Sequence, residues 1–211
     1  MKLLLFGPQG AGKGTIGNLL SKKYKISLIG AGAILRDAIK NKTPLGKIAE
    51  KYIHKGKLVP AKVIAKVVNE KIKKQKKGYM LDGFPRDLDQ AKYFSEMDKI
   101  DLILVFDISK KLSIYRLSGR RTCKECGTIY NINPDGYSRP KKNGKCSCRG
   151  ELTQRKDDTA KAIEERLKIY NKETKPILKK YKDKVQIIDA SPPVEKILKN
   201  TVEIIKGKFN Q

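Results

Sequence analysis

Nine consecutive residues, Gly7-Pro8-Gln9-Gly10-Ala11-Gly12-Lys13-Gly14-Thr15, combine four glycines with one lysine and one threonine. Glycines let the backbone turn so that successive N–H groups point inward, and oriented N–H dipoles at a helix start make an anion site. The N–H groups of Gly10, Ala11, Gly12 and Gly14 are the expected donors, Lys13 is a point charge for terminal phosphates, and the Thr15 hydroxyl can face phosphate or magnesium. The pattern departs from G-x-x-x-x-G-K-[ST], because Gly14 follows the lysine and the threonine comes one place later.

Two further residue sets could do chemistry. The chain has nine arginines, and guanidinium is the fork that grips phosphate bidentately. All four cysteines, Cys123, Cys126, Cys146 and Cys148, fall in one segment with the spacing C-x2-C-x19-C-x-C. That spacing is close to a four-thiolate zinc site, and Gly127 suits a tight knuckle turn. Two disulfides are the competing reading, disfavoured in a chain kept in a reducing compartment. His54, the lone histidine, reads as a helix-surface residue.

The elements that must position these groups follow from short apolar runs. Lys2 to Phe6 leads straight into the glycines, and a helical stretch runs from Lys13 to about Tyr24. Ile26 to Ile29, Tyr79 to Leu81, Leu102 to Phe106 and Val185 to Ile188 read as further buried strands alternating with helices. Such runs predict an α/β fold, a parallel five-stranded sheet with helices on both faces. Between Ala61 and Lys77, the residues Val63, Ile64, Val67, Val68 and Ile72 form a core-facing helical stripe. Two excursions interrupt the alternation: a helical one over 30–59, and one rich in cysteine, glycine and proline over 121–158. The expected core is therefore 1–29, 60–120 and 159–211.

With 211 residues and 39% hydrophobic content, the chain can bury one sizeable core. The formal charge of +26 would suit a polyanion partner, yet 39 lysines spread along helices read as solvated faces. Aromatic content of 7% without a base-stacking motif speaks against a nucleic-acid surface. The run Leu3 to Phe6 is too short for a signal peptide and Leu102 to Phe106 too short to span a bilayer, which predicts a cytoplasmic chain.

Over nearly its whole length the sequence resembles the adenylate kinases, within the nucleoside monophosphate kinases. The loop variant G-x-x-G-x-G-K-G-T carries the resemblance together with Leu81-Asp82-Gly83-Phe84-Pro85-Arg86 and the following Gln90. Leu35-Arg36, Leu45-Gly46-Lys47, Gly56-Lys57-Leu58-Val59, Gly119-Arg120-Arg121, Arg155-Lys156-Asp157-Asp158 and Arg166 also match. The resemblance implies a P-loop fold with a helical NMP-binding excursion and a small zinc-bearing lid. It implies reversible Mg-dependent phosphoryl transfer from ATP to AMP, giving two ADP. These nucleotides are the expected partners, without membrane or nucleic acid, and the expected state is a monomer.

By the same resemblance, Lys13, Arg86, Arg120, Arg155 and Arg166 are the catalytic cations, and Arg116 lies against the donor adenine. Arg36 and Arg86 hold the acceptor phosphate, and Arg120, Arg155 and Arg166 close on the phosphates of the donor and the migrating group, with Arg155 and Arg166 also counted to the AMP site. Ala31, Leu58, Val59, Gly83 and Gln90 surround the acceptor base. Gln90 can pair with an adenine edge through both its amide donor and its acceptor. Asp82, ending an apolar strand, is the expected carboxylate for magnesium through water, preferred to Asp107. No general base is expected, because an acceptor phosphate oxygen is already anionic. Relatives carry Thr-Gly-Asp where this chain has Ala31-Gly32-Ala33, and a site with fewer polar groups discriminates less between bases. Zinc-bearing relatives have C-x2-C or C-x2-D as their second pair; here Cys148 is the favoured fourth ligand over Asp157 or Asp158.

Overall fold

The computed structural model describes residues 1–53, 57–141, 144–155 and 157–209; His54 lies outside them. β1 (Lys2–Phe6) feeds α1 (Lys13–Tyr24), and β2 (Ser27–Gly30) feeds the helical pair α2 (Ala31–Lys40) and α3 (Pro44–Ile53). α4 (Ala61–Ile72) leads to β3 (Tyr79–Asp82), and α5 (Leu88–Met97) to β4 (Leu102–Asp107). α6 (Lys110–Ser118) opens into three short strands, β5 (Arg120–Cys123), β6 (Ile129–Asn131) and β7 (Leu152–Thr153). α7 (Ala160–Ile169), a π-helical turn (Tyr170–Thr174) and α8 (Ile177–Lys180) return the chain to β8 (Val185–Asp189) and the terminal α9 (Val194–Phe209).

Five strands form one parallel sheet in the order β2-β3-β1-β4-β8. Successive side chains of a strand point to opposite faces, so each buried strand serves two cores. Leu4, Phe6, Leu81 and Ile103 face the core built with α4 and α5, where Ile64, Val68 and Ile72 of the expected stripe are buried and the partly buried Val63 packs against them. Leu3, Leu5, Met80 and Leu104 face the other, against Ile16 and Leu20 of α1 and Ile197 and Ile205 of α9. The sheet is thus covered on both sides, as its continuous apolar runs require.

The two excursions have different internal support. α2 and α3 meet at Gly46, where a Cβ would lie 2.1 Å from the Ala38 carbonyl oxygen, so only glycine permits the approach. The second excursion holds an antiparallel sheet in the order β6-β5-β7, over a core that among the described residues is Cys123, Tyr130 and Cys146 with Leu152 packed against it. It is tied to the end of α6 by hydrogen bonds from Asn131 Nδ2 to the Arg116 carbonyl, 3.0 Å, and from Asn133 Nδ2 to the Tyr115 carbonyl, 2.7 Å. Lys40 Nζ on α2 donates to the Lys124 carbonyl beyond β5 at 3.0 Å, so the excursions touch across the molecule. No helix among the described residues is long and apolar enough to cross a membrane.

Candidate functional site

In a parallel sheet all strands end at one edge, and ligands of such folds bind there. β1 runs into the glycine loop, β2 into Ala31, and β3 into Asp82, Gly83 and Arg86. Gly10 and Gly12 take φ of 86° and 82°, the left-handed conformation that turns the loop, and Gly12 directly precedes α1. The Ser113 hydroxyl of α6 donates to the Gln9 carbonyl and pins the loop from outside. Lys13 reaches back over it, donating from Nζ to the carbonyls of Gly7 at 2.7 Å and Pro8 at 2.8 Å.

Beside this loop lies a cavity of about 430 Å³, within the range of small-molecule sites. Ala31, Leu58, Val59 and Gly83 give it an apolar wall, and Arg36, Arg86, Gln90, Arg155 and Arg166 reach it as well. A second space of about 50 Å³ sits under the loop, touched by Lys13 and Gly7 and sharing Gln9, Arg86 and Tyr170 with the first. Arg86 therefore stands between the two. Its Nε donates to the Gly83 carbonyl at 2.8 Å, and a Cβ on Gly83 would meet Nη2 at 2.7 Å, so the glycine leaves the guanidinium its place.

The remaining arginines converge through a pair of aspartates. Asp158, 2% exposed, accepts from Arg120 Nε at 2.8 Å and pairs with Nη2 at 2.5 Å. Arg166 Nη1 pairs with Asp157 at 3.0 Å and Asp158 at 3.4 Å, and Arg155 Nε donates to the Thr122 hydroxyl at 3.0 Å. Both aspartates are thus committed to arginine rather than to the cysteines. Arg116 stands apart from the cavity, its guanidinium donating to the carbonyls of Ala190 at 2.7 Å and Ser191 at 3.1 Å.

Around the cavity and loop, Lys13, Arg36, Arg86, Arg120, Arg155 and Arg166 bear on one another, while Asp82, Asp157 and Asp158 oppose them. The balance is positive, and it adds to burial in weakening the hold of these groups on their protons. Burial, with repulsion from Arg120 and Arg36, presses Arg155 down to about 9. Burial, opposed by Asp157 and assisted by Arg120 and Arg86, takes Arg166 to about 10. Guanidinium still keeps its proton at neutral pH, so the crowding persists as repulsion that an anion relieves. Removing the buried counter-ion should be costly. Asp158→Ala is expected to lower unfolding free energy by about 3–5 kcal/mol, because it leaves Arg120 enclosed and uncompensated; urea unfolding measures this.

Lys13 is the group that titrates within reach of ordinary assays. Burial, opposed by Asp82 and assisted by Arg86, Arg166 and Arg120, lowers its ammonium to about 8. Below that pH it is charged, and above it the charge that attracts phosphate is lost. A bound phosphate supplies the missing negative charge and raises the value again. The expected result is that kcat/KM for ATP falls as pH rises through about 8 while kcat stays level to higher pH; coincident profiles would contradict this role.

The four cysteines come together in the second excursion, their Sγ atoms all within 4.8 Å of one another. The pairs Cys123–Cys148, Cys126–Cys146 and Cys126–Cys148 lie at 3.5, 3.4 and 3.4 Å. Four thiolates about 2.3 Å from a tetrahedral zinc would be roughly 3.8 Å apart, so the cluster is close to that geometry. Gly127 takes φ 71°, the expected knuckle turn, and the second pair is closed by Arg149 N donating to the Cys146 carbonyl at 2.8 Å.

Residues 5–186 match the adenylate kinase family. The chain belongs to that family. It is 40% identical over 220 residues to an adenylate kinase of Clostridium tetani (strain Massachusetts / E88), covering all of both chains. With an adenylate kinase of Caldicellulosiruptor bescii it shares 39% over 215 residues, 98% of each chain. With one of Treponema denticola it shares 43% over 203 residues, 94% of this chain and 96% of the relative.

As an adenylate kinase the chain is a phosphotransferase, and its α/β sheet is the P-loop fold of that family. Sequence reasoning gave no role here to three residues that line the space, Gln9, Tyr170 and Thr174, and weighed Asp157 and Asp158 only as spare zinc ligands, not as arginine counter-ions. Gln9 Oε1, within the loop, is buried without a hydrogen-bond partner among the described residues. Thr174 donates to the Arg86 carbonyl at 2.7 Å from the π-helical turn. A π turn adds one residue to the helical period, which a 3.6-residue pattern does not reveal.

Proposed function

We propose that the chain transfers the γ-phosphoryl group of MgATP reversibly to AMP, giving two ADP. The donor phosphates lie on the N–H groups of Gly10, Ala11, Gly12, Gly14 and Thr15, and the acceptor occupies the 430 Å³ cavity. The observation that carries this reading is the position of Arg86 between that cavity and the space holding Lys13. Transfer between two phosphates needs in-line placement, positive charge and little else from the protein. Arg36 and Arg86 hold the acceptor phosphate. Arg120, Arg155 and Arg166 close on the migrating group, whose equatorial oxygens gain charge that these cations balance. Arg116, fixed by the Ala190 and Ser191 carbonyls, offers a flat face to the donor adenine.

Magnesium bound with ATP would supply positive charge to its phosphates. Asp82 would hold it through water: its Oδ2 lies 3.7 Å from where a Cβ on Gly14 would stand, an acceptor-only carboxylate beside the loop. Cys123, Cys126, Cys146 and Cys148 would hold one structural zinc in the lid over 121–158, with no open coordination position. Residues 30–59 form the acceptor-binding excursion, and 1–29, 60–120 and 159–211 the core. Both excursions close over the substrates and exclude water as a competing acceptor.

The chain is proposed to act as a monomer in the cytoplasm, a reducing compartment in which four thiolates remain available to zinc. A coupled assay with ATP and AMP, GMP, CMP or UMP tests the assignment. AMP is expected to be turned over fastest; equal rates with all four would sink it. Substantial ATP hydrolysis without an acceptor would contradict the closed site.

A further inference from the structure

Gln90 is 3% exposed, reaches the 430 Å³ cavity, and has its carboxamide held at both ends. Its Oε1 accepts from the Arg86 backbone N–H at 2.9 Å, and its Nε2 donates to Asp87 Oδ2 at 3.0 Å. The other oxygen of Asp87 caps α5 by accepting from the Gln90 backbone N–H at 2.7 Å. A backbone N–H only donates and an ionised carboxylate only accepts, so the amide has one orientation that satisfies both neighbours. Turning it over would set Nε2 against an N–H and Oε1 against a carboxylate.

Each end retains capacity. Oε1 has a second lone pair and Nε2 a second hydrogen, and no other hydrogen bond to this amide exists among the described residues. The cavity is therefore offered one acceptor and one donor in a fixed order. A 6-aminopurine presents the complementary order, an exocyclic N–H donor beside a ring-nitrogen acceptor. A 6-oxopurine presents the reverse, a carbonyl acceptor beside a ring N–H. Where the phosphate of the acceptor is held by Arg36 and Arg86, the base cannot simply turn over to compensate.

We propose that Asp87 is a specificity-determining positioning residue: by fixing the order of Oε1 and Nε2 in Gln90 it makes the acceptor site select 6-amino over 6-oxo purine monophosphates. The inference rests on the reading of the cavity as the acceptor site. It would supply selectivity at a wall to which Ala31 contributes only a methyl group.

Asp87→Asn tests it. The Asn oxygen must take the Gln90 backbone N–H, which turns its NH2 group toward the Gln90 side chain. Either orientation of the Gln90 amide then faces one donor with another, so neither is preferred. The ratio of kcat/KM for AMP to that for IMP is expected to fall at least about tenfold, with KM for ATP and the melting temperature of Asp87→Ser little changed. Asp87→Ser keeps a helix cap but loses the Nε2 partner, and should give an intermediate ratio. If the wild-type protein uses AMP and both variants keep its AMP-to-IMP ratio, or lose both acceptors equally, the positioning role is wrong. If the wild-type protein turns over neither AMP nor IMP, the acceptor reading itself falls and this inference with it.

Discussion

Changing Arg86 to lysine is expected to lower kcat/KM for AMP by about 10²–10³, mainly through kcat. The guanidinium has two duties that an ammonium cannot combine. Nε is spent on the Gly83 carbonyl at 2.8 Å, which fixes the plane, while both Nη groups remain for phosphate oxygens. A lysine could bind the carbonyl or the phosphates, and its charge would sit on one rotatable atom rather than a fork. Folding should tolerate the change, because the backbone is held separately: Thr174 donates to the Arg86 carbonyl, and Arg86 N–H donates to Gln90 Oε1. Steady-state kinetics beside a thermal melt separates the two effects. A loss of less than about fivefold in kcat/KM, with the fold intact, removes Arg86 from the centre of the reaction.

Metal removal should have the second large effect. The lid core amounts to Cys123, Tyr130 and Cys146 with Leu152 against it, and strands of four, three and two residues cannot stabilise themselves. Apparent zinc-binding free energies in small four-ligand sites are about 10–16 kcal/mol, and in such domains that is the folding energy. Protein purified without added zinc is expected to hold one zinc per chain. Cys146→Ser, or prolonged chelation, should loosen the lid and leave the main sheet melting cooperatively. Activity should fall with it, because Arg120 lies on β5 and Arg155 just beyond β7. No bound metal and four freely reactive thiols in the purified protein would refute the site.

The sheet was legible because a parallel strand buried on both faces is a continuous apolar run, and the five runs from Lys2 to Asp189 stand out from the lysine-rich remainder. The glycine loop was legible because its conformations demand particular residues. The lid strands were not, since two to four residues carry no usable period. Nor was the task of Asp157 and Asp158. From sequence they could be weighed only as spare zinc ligands, and their pairing with Arg120 and Arg166 depends on a contact between positions as far apart as 38 residues. Gln90 was placed as a base-reading residue, but the groups that orient its amide are visible only in three dimensions.

Arg116 is gripped at two ends. Its carbonyl accepts from Asn131 of the lid, and its guanidinium is anchored to the carbonyls of Ala190 and Ser191 after β8. A lid that swings about the end of α6 therefore pulls on the main chain of a residue whose side chain is moored to the static sheet. Any torsion is then taken up along the Arg116 side chain while its guanidinium stays moored, so the cation proposed to face the donor base would keep its place as the cover over the phosphates moves.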